Sequence, residues 1–358
     1  MKKLKNLKKT TKVDFATYIG VIVAFVVVSL LRSGGLLTRS ISGMLVPICC
    51  YIVMAVSLNL VVGVSGELSL GHAGFMSVGA FSGVITAMSL QNAIPSAPLR
   101  LVIAIIIGAI LAAVAGFIVG IPVLRLRGDY LAIVTLAFGE IIKDIMNCLV
   151  VGVDKNGLHM ALNISGKVSI DNLGLDPATG VAIIKGAQGA TGTTKIATFT
   201  AGFILVMLAL VVVLNLVRSR AGRAILAIRD NRIAAESVGI NVTTYKMMAF
   251  VTSAALAGAA GALYSMNYSN MAASKFDFNT SILVLVYVVL GGLGRIWGSI
   301  IAATVLYVLP EALREFADYR MLVYAIVLIL VMLLTNNKQI KGLLGKLIPK
   351  RKEDEVDG

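Results

Sequence analysis

Long apolar runs, separated by short polar segments, constrain this sequence more than any other feature. A helix needs about 20 apolar residues to cross the hydrocarbon core of a bilayer, and several runs approach that length. With 58% hydrophobic residues in a chain of 358, the sequence has more apolar surface than a soluble fold can bury. We therefore predict an all-α, polytopic integral membrane protein with about 8–10 transmembrane helices. The candidate spans are 16–31, 41–62, 72–90, 99–121, 129–151, 197–217, 247–267, 279–291, 299–310 and 320–335.

Some of these runs are interrupted by glycine or are too short for a full crossing, notably 279–291 and 299–310. Half-helices and re-entrant segments occur in membranes only where protein or a water-filled cavity covers their backbone. The segment 60–69 also resembles 288–299, because each has an apolar run, a glycine-rich break and a second apolar run. Paired broken helices in a transporter produce this pattern. Chance similarity between glycine-rich helices explains it equally well.

The basic residues predict an orientation. Only 14% of residues are charged, and the 32 Lys and Arg lie mostly between apolar runs, as membrane topology rather than nucleic-acid binding requires. The positive-inside rule places both termini in the cytoplasm. The predicted organisation is a basic cytoplasmic N-terminal arm at 1–15, a transmembrane domain at 16–335 and a charged cytoplasmic tail at 336–358. Within the domain, 152–196 is predicted as an external loop with short strands or turns, and 218–246 as a cytoplasmic segment.

The sequence contains no recognisable catalytic or nucleotide-binding motif of the GxxxxGK[ST], HExxH or GxSxG type. Its three cysteines lie in apolar runs without CxxC spacing, and its two histidines are far apart, so no metal site is predicted. We therefore expect that the chain is not an enzyme and binds no cofactor. If ATP drives its activity, hydrolysis must belong to another subunit.

The glycine-rich segment 63–79 contains candidates for a translocation path. Ser69 is placed to cap a helix that begins one residue later. A capped helix N-terminus at membrane depth presents free N–H groups and a partial positive charge, which suit a carboxylate. Gly66, Ser69, Gly71 and His72 are therefore candidate path residues. Alternatively, the glycines serve packing at the cytoplasmic boundary, and His72 is a hydrogen-bonding or capping residue rather than a ligand.

Three ionisable residues share one helix face within the run 129–151, namely Glu140, Lys143 and Asp144. Glu140 falls near the middle of the run. Ionisable groups at membrane depth are costly and usually face the protein interior or a water-filled path, so Glu140 is a further path candidate. The alternative is an internal pair between Glu140 and Lys143 that satisfies itself.

The polar segment 218–246 carries signals for a short helix between two spans. Asp230 is predicted to cap a helix over 231–238 that Gly239 ends, and Thr243 to cap the helix that follows. A short helix with a small-residue face is suited to a partner's groove. The alternative is an amphipathic loop whose arginines lie on anionic lipid headgroups.

Four motifs together resemble the permease subunit of branched-chain amino-acid ABC importers. They are Gly66–Phe75, Arg125–Ile141, Gly222–Ile240 and Leu290–Gly298, and the resemblance extends in order from about residue 40 to 335. It implies that 231–239 is a coupling helix that docks on an ATP-binding subunit. Ile233 replaces the acidic residue that begins the family's coupling motif, so no acidic contact is transferred to that position. The implied coupling residues are Arg229, Asp230, Ala234, Ala235, Glu236 and Gly239.

The same resemblance implies a function and a set of partners. The chain would translocate Leu, Ile or Val across the cytoplasmic membrane of a prokaryote. It would pair with a homologous second permease, two ATP-binding cassette subunits that hold ATP and Mg²⁺, and an extracytoplasmic binding protein. Two alternatives stay open: a urea or short-chain amide permease of the same family, and a stand-alone secondary transporter that uses Glu140 and Asp144 as coupling carboxylates.

Overall fold

The computed structural model describes residues 9–35, 38–91, 93–126, 128–154, 157–163 and 180–313, together with 325, 326 and 329. The predicted tail 336–358 lies outside these residues, as do nearly all of the predicted span 320–335 and parts of the arm 1–15 and the loop 152–196. The contacts divide the chain into two units, residues 1–304 and 305–358. All contacts described below lie within the first unit.

The described residues are mostly helical, which confirms the predicted all-α membrane fold apart from one small sheet. The helices are α1 (Lys9–Ser33), α2 (Arg39–Asn59), α3 (His72–Ser89), α4 (Ala97–Val123), α5 (Asp129–Cys148), α6 (Phe199–Arg218), α7 (Arg220–Asp230), α8 (Arg232–Ser237), α9 (Val242–Ser265), α10 (Phe278–Gly291) and α11 (Ile296–Ala312). The strands are β1 (Leu149–Asp154), β2 (Gly157–Leu162) and β3 (Val181–Lys185). A π-helical turn, Leu60–Ser65, extends α2.

Within the described part of the chain, five helical segments are long and apolar enough to cross a membrane. The two helices predicted as incomplete crossings, α10 and α11, are indeed shorter than these. The helices α3 and α5 form where spans were predicted, although α5 carries charged residues in its second half. The five long segments are Phe15–Ser33, Ser40–Ser65, Ala97–Val123, Phe199–Arg218 and Val242–Ser265.

Helix α9 packs against α2, α3 and α4, and small residues allow these helices to approach closely. A Cβ atom built on Gly79 of α3 would lie 2.0 Å from the carbonyl oxygen of Gly258 in α9. One built on Gly258 would lie 2.2 Å from the Cβ of Ala112 in α4. Packing of this kind is typical of membrane helices. Because the surrounding lipid is also apolar, no hydrophobic force drives these helices together, and van der Waals contact between them stabilises the packing instead. Direct backbone contact therefore holds α3, α4 and α9 together.

The small sheet follows α5 without a linker and has the strand order β2–β1–β3, with both pairings antiparallel. Its buried side chains include Val150 and Val151 of β1 and Ile183 and Ile184 of β3. The sheet accounts for the predicted short strands of the segment 152–196, to the extent that this segment is described. Its side of the membrane stays a prediction.

The close contact at Gly258 predicts that even one methyl group is not tolerated there. We expect Gly258→Ala to lower the free energy of unfolding by roughly 1–3 kcal/mol, because the added Cβ overlaps Ala112. Gly43→Ala is the matched control, since no atom lies within 4 Å of a Cβ at Gly43 in α2. That change should be neutral or stabilising by up to about 1 kcal/mol through helix propensity. Thermal unfolding in detergent measures both variants, and equal midpoints would contradict the packing described here.

Candidate functional site

The candidate site forms where α2 is interrupted before α3. The π-helical turn ends at Gly66, which has φ +76°, a left-handed conformation that favours glycine. The chain then runs without helical structure until α3 begins at His72. We call residues 60–71 the break. Much of it is buried, including all of the π-helical turn and Ser69.

Side chains from other helices bind the backbone at the start of α3. Thr135 Oγ1 of α5 accepts a hydrogen bond from the N–H of Leu70 at 3.1 Å. Ser281 Oγ of α10 accepts one from the N–H of Ala73, also at 3.1 Å. A buried N–H without a partner would cost about 1–3 kcal/mol. The sequence suggested that N–H groups at this helix end are free to bind an anion. The N–H groups of Leu70 and Ala73 are instead already paired with side chains.

The prediction that Ser69 caps α3 is wrong. The helix begins at His72, and its N-cap residue is Gly71, which has no side chain to cap it. The physical reason is the approach of α5, since a Cβ on Gly71 would lie 2.0 Å from the carbonyl oxygen of Thr135. This contact leaves room only for glycine at the cap. The Ser69 hydroxyl is buried without a hydrogen-bond partner among the described residues.

His72 makes the hydrogen bond that the sequence predicted for it. Its Nε2 lies 2.8 Å from Ser57 Oγ of α2, and both side chains are buried. Because the Ser57 hydroxyl donates to the carbonyl of Met54 at 2.9 Å, the ring N–H is the donor to the hydroxyl. The bond ties the first residue of α3 to α2 across the break. A role of His72 in a translocation path stays a prediction.

Asn59 connects the two segments whose resemblance suggested paired broken helices. Its Oδ1 accepts from the N–H of Gly294 at 2.8 Å, and its Nδ2 donates to Ser299 Oγ at 3.0 Å. A Cβ on Gly63 would lie 2.2 Å from the Gly294 nitrogen, so the two glycine-rich breaks touch. Asn59 was not predicted from the sequence. Its signal is a buried amide within the apolar run 41–62, where such a group usually bonds between helices.

The ionisable residues of α5 form an internal cluster. Lys143 Nζ pairs with Glu140 Oε2 and lies 3.9 Å from Asp144 Oδ1. The structural alternative for Glu140, a self-satisfied pair, is therefore present. Gly139, the preceding residue, packs against Gly74 of α3, where an added Cβ on Gly74 would lie 2.9 Å from its Cα. Glu140 thus follows directly after the contact between α5 and α3, and its role in a path stays a prediction.

Two capping predictions in the polar segment are wrong by one or two residues. Asn231 caps α8, because its Oδ1 accepts from the N–H of Ala234 at 3.1 Å and its backbone is extended. Asp230 is instead the last residue of α7, a separate helix that the arginine-rich approach forms. Similarly, Asn241 rather than Thr243 caps α9. The predicted stop at Gly239 is present, with φ +84°, the conformation that ends a helix at glycine.

Helix α8 has one buried and one exposed face. Ala235 is only 3% exposed and packs in a small core with Ile228 of α7 and Val242 of α9. The Ala235 side chain therefore holds α8 to its own neighbours, and its role in coupling stays a prediction. Ile233 and Val238 are 80% and 75% exposed, the two highest values among the large apolar side chains that the structure describes. We call Ile233, Ala234 and Val238 the exposed α8 surface.

The remaining predicted coupling residues pair within the segment. Arg229 and Asp230 form an ion pair with an N–O distance of 3.1 Å, and Arg229 also reaches Gly63 in the break. Glu236 pairs with Arg232 at 2.9 Å and stays exposed. Gly239 is exposed in the turn that follows α8. The structure thus brings these residues together in one compact segment, with Arg229 directed towards the break.

Comparison with known proteins identifies relatives that align with most of the chain. The high-affinity branched-chain amino acid transport system permease proteins LivM of Salmonella typhimurium and Escherichia coli are each 36% identical over 294 residues. The alignment covers 79% of this chain and 66% of each relative, just under two thirds of their length. The fructose import permease FruG of Bifidobacterium longum is 24% identical, with 77% and 75% of the two chains covered. No solved structure matches the chain.

A family model also matches most of the chain. Residues 40–332 match the family described as the permease component of the branched-chain amino acid transport system. That range includes the break, the α5 cluster and the α7–α9 segment. The chain therefore belongs to the family of branched-chain amino acid transport system permease components.

Proposed function

We propose that the chain is the membrane-spanning permease subunit of an ABC importer that carries Leu, Ile or Val across the cytoplasmic membrane of a prokaryote. The observation that carries this proposal is α8, a short helix between α7 and α9 that presents an exposed apolar surface. A contiguous apolar patch within a polar, arginine-rich segment is suited to bind another protein. The names of the LivM relatives favour branched-chain amino acids over urea or short amides, whereas the more distant FruG is named for a sugar.

The proposed assembly contains a homologous second permease, two ATP-binding cassette subunits and an extracytoplasmic binding protein. ATP and Mg²⁺ belong to the cassette subunits, and this chain holds no cofactor. The residues 218–246, which form α7, α8 and the start of α9 and are called the α7–α9 segment here, would face the cytoplasm together with both termini. The basic residues of 218–246 agree with this orientation. In this arrangement the exposed α8 surface lies in a groove of a cassette subunit.

The contacts of α8 suit it to transmit movement. Ala235 joins it to α7 and α9 through the small core with Ile228 and Val242. The carbonyl of Ala235 also accepts a hydrogen bond from the N–H of Ile240, which closes the turn at Gly239. When ATP draws the cassette subunits together, a force on α8 therefore moves the ends of α7 and α9. The path itself would involve Gly66, Ser69, Gly71, His72 and Glu140, which lie in the break or on the helices beside it.

We expect the exposed α8 surface to be needed for docking of the cassette subunits. We expect Ile233→Asp to reduce the cassette subunits that co-purify with the permease at least tenfold, because it places a charge in an apolar contact. A tenfold loss corresponds to about 1.4 kcal/mol of binding free energy. ATP-dependent uptake of leucine into liposomes that contain the assembled complex and the binding protein should fall with it.

Tyr130→Asp is the matched control, since Tyr130 is 73% exposed on α5, a helix with no extensive contact to α7 or α8. That variant should bind the cassette subunits as the wild type does. Normal binding by Ile233→Asp would contradict the role of the exposed α8 surface. Leucine uptake by the permease alone, driven by an ion gradient, would instead support a secondary transporter.

We expect the Glu140 carboxylate of the α5 cluster to be needed for transport. We expect Glu140→Gln to lower leucine uptake at least fivefold at normal assembly, because it removes the carboxylate that pairs with Lys143 at membrane depth. Asp144→Asn removes an equal charge from the same helix and is the control, since Asp144 is exposed and lies farther from Lys143. That control should transport at the wild-type rate. Wild-type uptake by Glu140→Gln would leave only a structural role for the pair.

A further inference from the structure

Two polar contacts connect the break to the segment that carries α8. The first is an ion pair between Lys246 Nζ, in the second turn of α9, and Glu67 Oε1 in the break. The two side chains are only 10% and 13% exposed. They are separated by 179 residues in the sequence, so the pair joins distant parts of the chain.

The second contact comes from α7, the helix that precedes α8 in the chain, whereas Lys246 lies in the helix that follows it. Arg229, next to last in α7, donates from Nη1 to the carbonyl oxygen of Gly63 at 3.0 Å. Its aliphatic part covers Gly66, where an added Cβ would lie 2.7 Å from Arg229 Cγ. Gly63 lies near the end of the π-helical turn, where the last backbone carbonyls of a helix have no partner within it. A charged donor is a strong partner for such a carbonyl.

Burial makes the ion pair resistant to separation. A charge with little access to water is stable only while its partner stays in contact, and removing one member leaves an uncompensated buried charge. Lys246 and Glu67 therefore favour arrangements in which the start of α9 and the break move together. Arg229 acts in the same direction, although its side chain is partly exposed.

We propose that the Lys246–Glu67 pair and the Arg229–Gly63 hydrogen bond are two ties that make the α7–α9 segment and the break move as one body. A displacement of α8 is then delivered to the start of α3 rather than absorbed by bending within the segment. Lys246, Glu67 and Arg229 are positioning residues, because they act through the break and do not touch the transported molecule. This inference rests on the proposed function, in which a partner moves α8.

The test measures leucine transported per ATP hydrolysed by the reconstituted complex. We expect Lys246→Met to lower this ratio at least tenfold while the cassette subunits still co-purify in wild-type amounts. The exchanged variant Glu67→Lys/Lys246→Glu restores opposite charges and should recover at least a third of the wild-type ratio. Arg223→Met is the control, since the Arg223 side chain donates to the nearby carbonyl of Arg218 and does not reach the break among the described residues. It should keep the wild-type ratio.

Each outcome is decisive. A wild-type ratio in Lys246→Met would overturn the proposal, and so would an exchanged variant that assembles but stays uncoupled. If Lys246→Met fails to fold, Arg229→Met supplies the test. The Arg229 side chain is partly exposed, so its removal leaves no uncompensated buried charge. An unchanged ratio in that variant would then reject the ties. A wild-type complex without ATP-driven uptake would instead reject the proposed function, whatever the variants do.

Discussion

The structure depends on the hydrogen bonds that other helices supply to the backbone of the break. Polar backbone groups at membrane depth need partners from the protein, because lipid provides none. In the break, Thr135 and Ser281 bind N–H groups at the start of α3, and Arg229 binds a carbonyl of the π-helical turn. Asn59 and His72 join the same region to the α10–α11 loop and to α2. Five helices or their connections therefore converge on about a dozen residues.

Because several helices hold the break, its conformation is linked to their positions. A segment held from several sides by hydrogen bonds cannot change its conformation without moving the helices that hold it. The small-residue contact at Gly258 binds α9 closely to α3 and α4, while Lys246, near the start of the same helix, binds the break. Helix α9 therefore connects the core to the segment that presents α8. The exposed α8 surface and the break are two ends of one hydrogen-bonded unit.

Much of this fold could be predicted from the sequence, because apolar runs and glycine stops are local signals. The helices formed close to the predicted spans, and Gly239 ended α8 as expected. The cap of α8 was misplaced because Asp230 and Asn231 have equal capping ability. Asp230 belongs to the end of α7, which leaves Asn231 as the cap, and the sequence did not predict that α7 is a separate helix. The contacts of the site could not be predicted, since Asn59 and Gly294 lie 235 residues apart and no local pattern records their meeting. The burial of Ala235 could not be predicted for the same reason, because it depends on contacts with α7 and α9.

The most direct test of this account is amide hydrogen exchange of the break in lipid nanodiscs. Peptides that cover 66–74 contain the N–H groups of Leu70 and Ala73, which the structure pairs with Thr135 and Ser281. The account predicts that these amides exchange at least roughly 100-fold more slowly than the exposed turn at 238–241, although neither segment is fully helical. Exchange of 66–74 as fast as that of the turn would contradict it, because the break would then be open to water rather than held by the surrounding helices.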